Sequence, residues 1–108
     1  MHLPTTLSLL ATLATLSSAI KVQYYSDGGC TDYILELHPS TDGSCYGYNW
    51  NGDKSANIAS CEGSSGCLCN FYSGDNCGGG QWTAEFGHNN CASNWDGGGF
   101  KSMKCWKY

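Results

Sequence analysis

Tyr24-Tyr25-Ser26, followed by Cys30, returns later in the chain as Phe71-Tyr72-Ser73, followed by Cys77, at an offset of 47 residues. Beyond that block Cys45 matches Cys91 at 46, Asn49-Trp50-Asn51-Gly52 matches Asn94-Trp95-Asp96-Gly97 at 45, and Cys61 matches Cys105 at 44. Self-similarity of this kind marks an internal duplication. Shortening by one residue between matched blocks is expected where the blocks are strands and the gaps are turns, because turns tolerate changes in length. Repeat one then spans 20–62 and repeat two 67–108, within a single domain of residues 20–108.

Each copy reads as four short strands. The first runs from Val22 to Tyr25 and recurs at Leu68 to Tyr72, rich in the aromatics that suit a pleated, half-buried surface. Gly28-Gly29 and Gly78 to Gly80 follow as turn or bulge positions. A second strand from Tyr33 to Leu37 recurs at Gln81 to Phe86, a third near Cys45 to Tyr48 recurs near Cys91 to Asn94, and the last, Ala56 to Ser60, recurs at Phe100 to Trp106. After residue 19 no apolar pattern has a helical period, so no helix is expected. Eight short strands punctuated by glycine favour an all-β fold, a disulfide-rich β-sandwich with Greek-key connections.

Residues 1–19 read as a secretory signal peptide. Leu7, Leu9, Leu10, Leu13 and Leu16, spaced by Ala and Thr, form an apolar run too short to cross a bilayer, and the small Ser17 and Ala19 sit where a cleavage enzyme requires them. His2 and the α-amine are the only positive groups before that run. The mature chain is expected to begin near Ile20, outside the cell. All eight cysteines, Cys30, Cys45, Cys61, Cys67, Cys69, Cys77, Cys91 and Cys105, follow it, and an even number in a short exported chain is the mark of a disulfide framework. Zinc is disfavoured because no C-x2-C or H-x3-H pair exists.

Five lysines and no arginine stand against nine acidic residues, a balance that speaks against nucleic acid and against insertion into an anionic membrane. Lys101, Lys104 and Lys107 form a small basic patch that reads as a solvated strand edge. Catalysis has no constellation to rest on: the cysteines are all consumed by pairing, His38 and His88 lie in polar loops, and Asp42, Asp53, Glu85 and Asp96 are scattered among turns. No enzyme activity, no cofactor and no metal site are expected, although Asn51-Gly52-Asp53-Lys54-Ser55 and Asn89-Asn90-Cys91-Ala92-Ser93 are the nearest approaches to a calcium loop. Trp50 and Trp95 recur at matched positions, which points to packing shared by both copies. The sharper reading places them with Tyr46 and Tyr48 on an exposed aromatic rim that binds a glycan or protein.

The pattern Tyr72, four residues, Cys77, one residue, Gly79, with Ser102 in the last strand, resembles the βγ-crystallin motif of aromatic, four residues, aromatic, one residue, glycine. Taken twice, it covers the mature chain, which is most similar to the small secreted crystallin-like proteins of fungi, a group whose fold resembles yeast killer toxins and microbial protease inhibitors. Cys30 and Cys77 stand where that family has its second aromatic, Asp32 stands for the first glycine, and Ile58 takes the place of Ser102, so the first hairpin is expected to lack its serine bond.

Two repeats of this kind imply equivalent pairing of equivalent cysteines, Cys30 with Cys45 and Cys77 with Cys91. The resemblance sets the first and fourth strands side by side, which implies Cys69 with Cys105 and leaves Cys61 for Cys67. Cys67 and Cys69 share a face, so an exchange of their partners stays open.

The resulting expectation is a monomeric, secreted, non-enzymatic interaction protein, effector-like, that binds an extracellular protein or glycan of a host or competitor. Alternatives are a killer-toxin-like antimicrobial or an enzyme inhibitor presenting Ser64-Ser65-Gly66 or the His88 to Asn90 loop.

Overall fold

The computed structural model describes residues 20–48, 53–62, 66–94 and 98–108. Among them eight strands run in chain order as β1 (Ile20–Tyr25), β2 (Tyr33–Leu37), β3 (Tyr46–Gly47), β4 (Ser55–Cys61), β5 (Cys67–Tyr72), β6 (Gln81–Glu85), β7 (Ala92–Ser93) and β8 (Ser102–Lys107). Each lies where the repeat placed a strand. A single 3-10 turn at Asp75–Cys77 is the one helical feature of the described residues. The signal-peptide reading of residues 1–19 lies outside the described residues.

The strands form two antiparallel sheets of four, ordered β2-β1-β4-β7 and β3-β8-β5-β6. Repeat one supplies three neighbours of the first sheet but sends its short third strand, β3, to pair with β8 in the second. Repeat two returns the exchange, sending β7 to pair with β4. Each sheet is therefore incomplete without a strand from the other half. Alternation does the rest: in β5 Cys67, Cys69 and Phe71 are buried while Leu68 and Asn70 are half-exposed, as period two requires of a strand with one face inward. Val22, Tyr24, Ala56 and Ile58 from the first sheet meet Cys69, Phe71, Ala84, Met103 and Cys105 from the second in one core.

Aromatic rings fill the centre of that core. The Tyr24 and Phe71 rings, equivalent in the two repeats, stand 6.3 Å apart edge to face, and Phe100 packs at 5.3 Å from Phe71 and 5.6 Å from Trp82. Burial of each such ring contributes about 1.5–3 kcal/mol, a large share for so small a domain.

The two repeats share a set of polar bonds that the apolar pattern does not announce. In repeat one Ser55 Oγ accepts the Cys30 amide at 3.0 Å and donates to Asp27 O at 2.6 Å. In repeat two Ser102 Oγ accepts the Cys77 amide at 2.8 Å and donates to Gly74 O at 2.7 Å. Cys30 and Cys77 both adopt a left-handed φ of 58°, a conformation that costs a non-glycine residue on the order of 1 kcal/mol. A buried serine holds each of them there. Ser55, not Ile58, is thus the mate of Ser102, and the expected loss of the serine bond in the first hairpin is corrected. Pairing of Tyr25 with Ser55 and of Tyr72 with Ser102 fixes this register, with the offset back at 47 in the fourth strand. Cys61 is consequently not the mate of Cys105.

The disulfides follow the strand exchange. Cys61–Cys67 and Cys69–Cys105 form as expected, the latter between residues directly opposite on β5 and β8. The other two pairs are Cys30–Cys91 and Cys45–Cys77, not Cys30–Cys45 and Cys77–Cys91. Equivalent cysteines do pair equivalently, but across the halves: the third strand leaves its own repeat, so the cysteine before it meets the hairpin of the other. No described cysteine is free.

Lys104 and Lys107 are also relocated. Their strand, β8, lies between β3 and β5, so the reading of a solvated sheet edge is corrected to that of an interior strand.

Candidate functional site

Tyr46 and Tyr48, two members of the expected aromatic rim, flank the crossover of β3 into the second sheet. Tyr48 is anchored by its amide, which donates to Lys101 O at 2.9 Å, and its ring meets Tyr24 edge to face with centroids 6.3 Å apart. Both tyrosines are half-buried and packed on the core, so they combine the packing role with a share of surface. Trp50 and Trp95 lie outside the described residues. Beside Tyr48 is a depression of about 350 Å³ lined by Gly47, Tyr48, Asp75 and Asn76. Gly47 opens it by having no side chain, Tyr48 supplies an aromatic wall, and the carboxylate and amide from the 3-10 turn make the rest polar. Asn76 has a left-handed φ of 56°, and the Cys45–Cys77 bridge ties this turn to the strand opposite. Such a site suits a small polar group presented by a larger partner.

A second surface element is the loop after β6. Phe86, Gly87, His88 and Asn89 are exposed, and Phe86 is 42 % accessible. Both ends of the loop are held. Phe86 N donates to Cys67 O at 3.0 Å and His88 N to Glu85 O at 3.0 Å. On the far side the Asn90 amide grips the Ile58 backbone twice, accepting its N–H at 2.9 Å and donating to its carbonyl at 2.7 Å. Asn90 thereby continues the work of the two-residue β7 along β4, and Cys91 is bridged to Cys30. Of the two loops considered for enzyme inhibition, Ser64 and Ser65 lie outside the described residues.

Of the nearest approaches to calcium loops, Asn51 and Gly52 lie outside the described residues, while Asp53, Ser55 and Asn90 bond to the protein itself. Asp53 is fully buried, and its Oδ2 accepts the Phe100 amide at 2.9 Å. Ser55 is spent on the hairpin and Asn90 on Ile58, as above. Asp53 Oδ1 and the hydroxyl of Tyr24 are buried without a hydrogen-bond partner among the described residues. Burial pushes the Asp53 carboxyl above its ordinary range, and burial first, then the neighbouring Asp53, pushes up the Tyr24 phenol. Gly99 makes this packing possible: its φ is +92°, and a Cβ there would lie 1.9 Å from Asp53 O. The sequence offers Asp53 both as one of several turn carboxylates and within the near-calcium stretch Asn51-Gly52-Asp53-Lys54-Ser55, and its place 47 residues before Phe100 is the signal for its burial.

The exposed carboxylates behave in the opposite way. Asp27 accepts the Thr31 hydroxyl at 2.6 Å and the amides of Asp32, Thr31 and Gly29, which hold its carboxyl well below the usual range. The hydroxyl and amide of Ser44, with the Ser40 hydroxyl, hold Asp42 down at about 2. His38 is exposed and pairs with Glu36 at 2.9 Å. Among the described residues no three side chains of His, Cys, Asp and Glu come together as a metal cage, and no helix is long and apolar enough to cross a membrane.

Comparison with protein-family models, curated proteins and solved structures finds no match to this chain. The functional reading therefore rests on the residues themselves.

Proposed function

We propose that this protein is a secreted, non-enzymatic interaction protein, effector-like, that binds an extracellular protein or glycan of a host or competitor, and that its two halves are Greek-key repeats of the βγ-crystallin-like kind. The observation that carries the reading is the cross-linked strand exchange: each half lends a strand to the other, and Cys30–Cys91 and Cys45–Cys77 lock both exchanges. A scaffold closed in this way restricts the unfolded chain and favours persistence in an oxidising, protease-rich medium, where disulfides form and survive. It also holds surface groups in fixed positions, which lowers the ordering cost of binding. The reciprocal exchange of third strands supports the Greek-key assignment.

A second reading, enzyme inhibition, draws support from the loop Phe86–Asn89. An exposed segment pinned at both ends by backbone bonds, by Asn90 and by a disulfide has the rigidity an inhibitory loop requires.

The test is a binding comparison of oxidised protein, secreted from an oxidising host, with its reduced and alkylated form. Retention on a defined extracellular protein or wall polysaccharide that is lost on reduction is the expected result. Turnover of that component, or equal retention of the unfolded chain, overturns the reading. Inhibition of an extracellular hydrolase, abolished by substitutions confined to Phe86–Asn89, selects the second.

A further inference from the structure

The outer faces of the two sheets differ in chemistry. On the first, Gln23 donates to Glu36, the Tyr25 hydroxyl is within hydrogen-bonding distance of Gln23 and Asn57, and Glu36 meets His38; on the second the Thr83 hydroxyl donates to Asn70 at 2.7 Å. On the second, the register sets Glu85, Leu68 and Trp106 in one row across β6, β5 and β8, and the backbone of Gly66 pairs with that of Tyr108 at the next outward position. Trp106 and Tyr108 are two residues apart, so they project on the same side about 7 Å from one another.

Two glycines seat these rings. A Cβ at Gly66 would lie 2.5 Å from Cε2 of Tyr108 and 2.9 and 3.0 Å from the adjoining Cζ and Cδ2. Such nearly equal distances belong to a point above the ring, not beyond its edge, so the ring lies over the Gly66 backbone. Tyr108 is 59 % accessible, and its hydroxyl donates to Glu85. The indole of Trp106 meets Gly43 from its Nε1 side, and a Cβ on Gly43 would collide with that nitrogen and lie 3.0 and 3.3 Å from the adjoining Cε2 and Cδ1. An exposed aromatic ring attracts C–H groups rather than anions. Charges of both signs, Lys104 against Glu85 and Asp42, surround the two rings and match a neutral ligand better than a charged one.

We infer that the outer face of the second sheet is a stacking platform for an extended, uncharged, β-1,4-linked hexopyranose chain, with Tyr108 seating one sugar ring, Trp106 bordering the next, and Thr83, Asn70 and Lys104 meeting its hydroxyls. Equatorial bonds at C1 and C4, on opposite sides of the ring, give β-1,4-linked chains a flat ribbon whose apolar ring faces lie at successive positions, whereas β-1,3-linked and α-linked chains coil. This inference rests on the interaction-protein reading and names its ligand class.

The test is a titration of oxidised, isotope-labelled protein with cellohexaose and chitohexaose, with laminarihexaose and maltohexaose as the coiled controls, followed by amide and indole NMR. Expected are saturable shifts at Trp106, Tyr108 and Leu68 with at least one β-1,4-linked probe and none with the coiled controls. Tyr108→Ala should weaken that binding on the order of tenfold, while Tyr33→Ala, at an exposed tyrosine of the first sheet, should change it less than twofold. Trp106→Phe, which keeps a ring on the strand, should lie between. Binding that Tyr108→Ala leaves intact, or concentration-dependent dimerisation through this face, overturns the platform. Retention of a defined extracellular protein with no response to any β-1,4-linked probe overturns the platform and leaves the broader reading standing; failure of both removes both.

Discussion

Where β1 meets β4 the facing residues are Val22 and Ile58; at the same place between β5 and β8 they are Cys69 and Cys105, joined covalently. Where the Phe100 ring enters the core of repeat two, repeat one has Asp53, whose carboxylate accepts the amide of that same phenylalanine. Around these differences the backbone scheme is unchanged. Lys54 N donates to Tyr25 O at 2.7 Å and Lys101 N to Tyr72 O at 2.8 Å, while Asn94 N donates to Lys54 O at 2.8 Å and Tyr48 N to Lys101 O at 2.9 Å. The duplicated elements are the bonds that satisfy buried backbone groups, which few residue types can replace. The pairs that merely fill space vary freely, because volume and apolarity suffice there.

The largest expected effect comes from removing the covalent version of the facing pair. Replacing Cys69 by Val and Cys105 by Ile gives repeat two the filling of repeat one. Loss of a bridge closing 36 residues of sequence should cost about 4 kcal/mol by the loop-entropy relation, partly offset by the added apolar volume. Urea unfolding of the oxidised double variant measures it. A variant as stable as the parent would mean that the bridge does not restrain the unfolded chain and that the two fillings are equivalent.

Next are the serines. Ser55→Ala and Ser102→Ala each strand an amide and a carbonyl at a strained cysteine, and each should cost about 2–3 kcal/mol. If the hairpins are true equivalents, the two losses should agree within about 0.5 kcal/mol. A large loss for Ser102→Ala with a negligible one for Ser55→Ala would break the equivalence.

Those serines also show where reading the chain succeeds and where it stops. The strands were legible because Tyr24, Phe71 and their neighbours alternate with polar residues, and matched blocks returned at a near-constant offset. Ser55 was missed because the offset had been allowed to shrink through the loops to 44, when the fourth strand resumes at 47. The pairing of Cys30 and Cys45 with partners in the other half depends on the third strands changing sheets, and two-residue strands carry too little pattern to reveal that. The platform is hidden for a related reason: the sequence places Trp106 at the end of the last strand, but only the pairing of Gly66 with Tyr108 carries the ladder one outward position further.

The smallest effects concern charge, and the repeats differ here as well, since Asp27 in the first hairpin stands where the second has Gly74. Asp53 and Asp27 should tilt stability in opposite directions with pH. The Asp53 carboxyl is raised in the folded state, so its favourable contribution is complete below the unfolded value of about 3.9 and is lost as pH rises from there through the folded value. Asp53→Asn should therefore flatten a decline in stability on the alkaline side of that range. Asp27 is lowered by the Thr31 hydroxyl and the surrounding amides, so its contribution is present above about 3.9 and is lost as pH falls through the folded value. Asp27→Asn should lower the urea midpoint at pH 7 and bring it toward the parent's as the solution is made strongly acidic. The group is exposed, so the difference should be modest and should shrink with added salt to the extent that it is electrostatic. Asp27→Gly, which gives the first hairpin the residue of the second, should remove the same acid dependence while Ser55 still holds Cys30. A gap between Asp27→Asn and the parent that stays constant from pH 7 into strong acid would show that Asp27 acts through turn geometry alone, and the two hairpins would then differ in shape and not in charge.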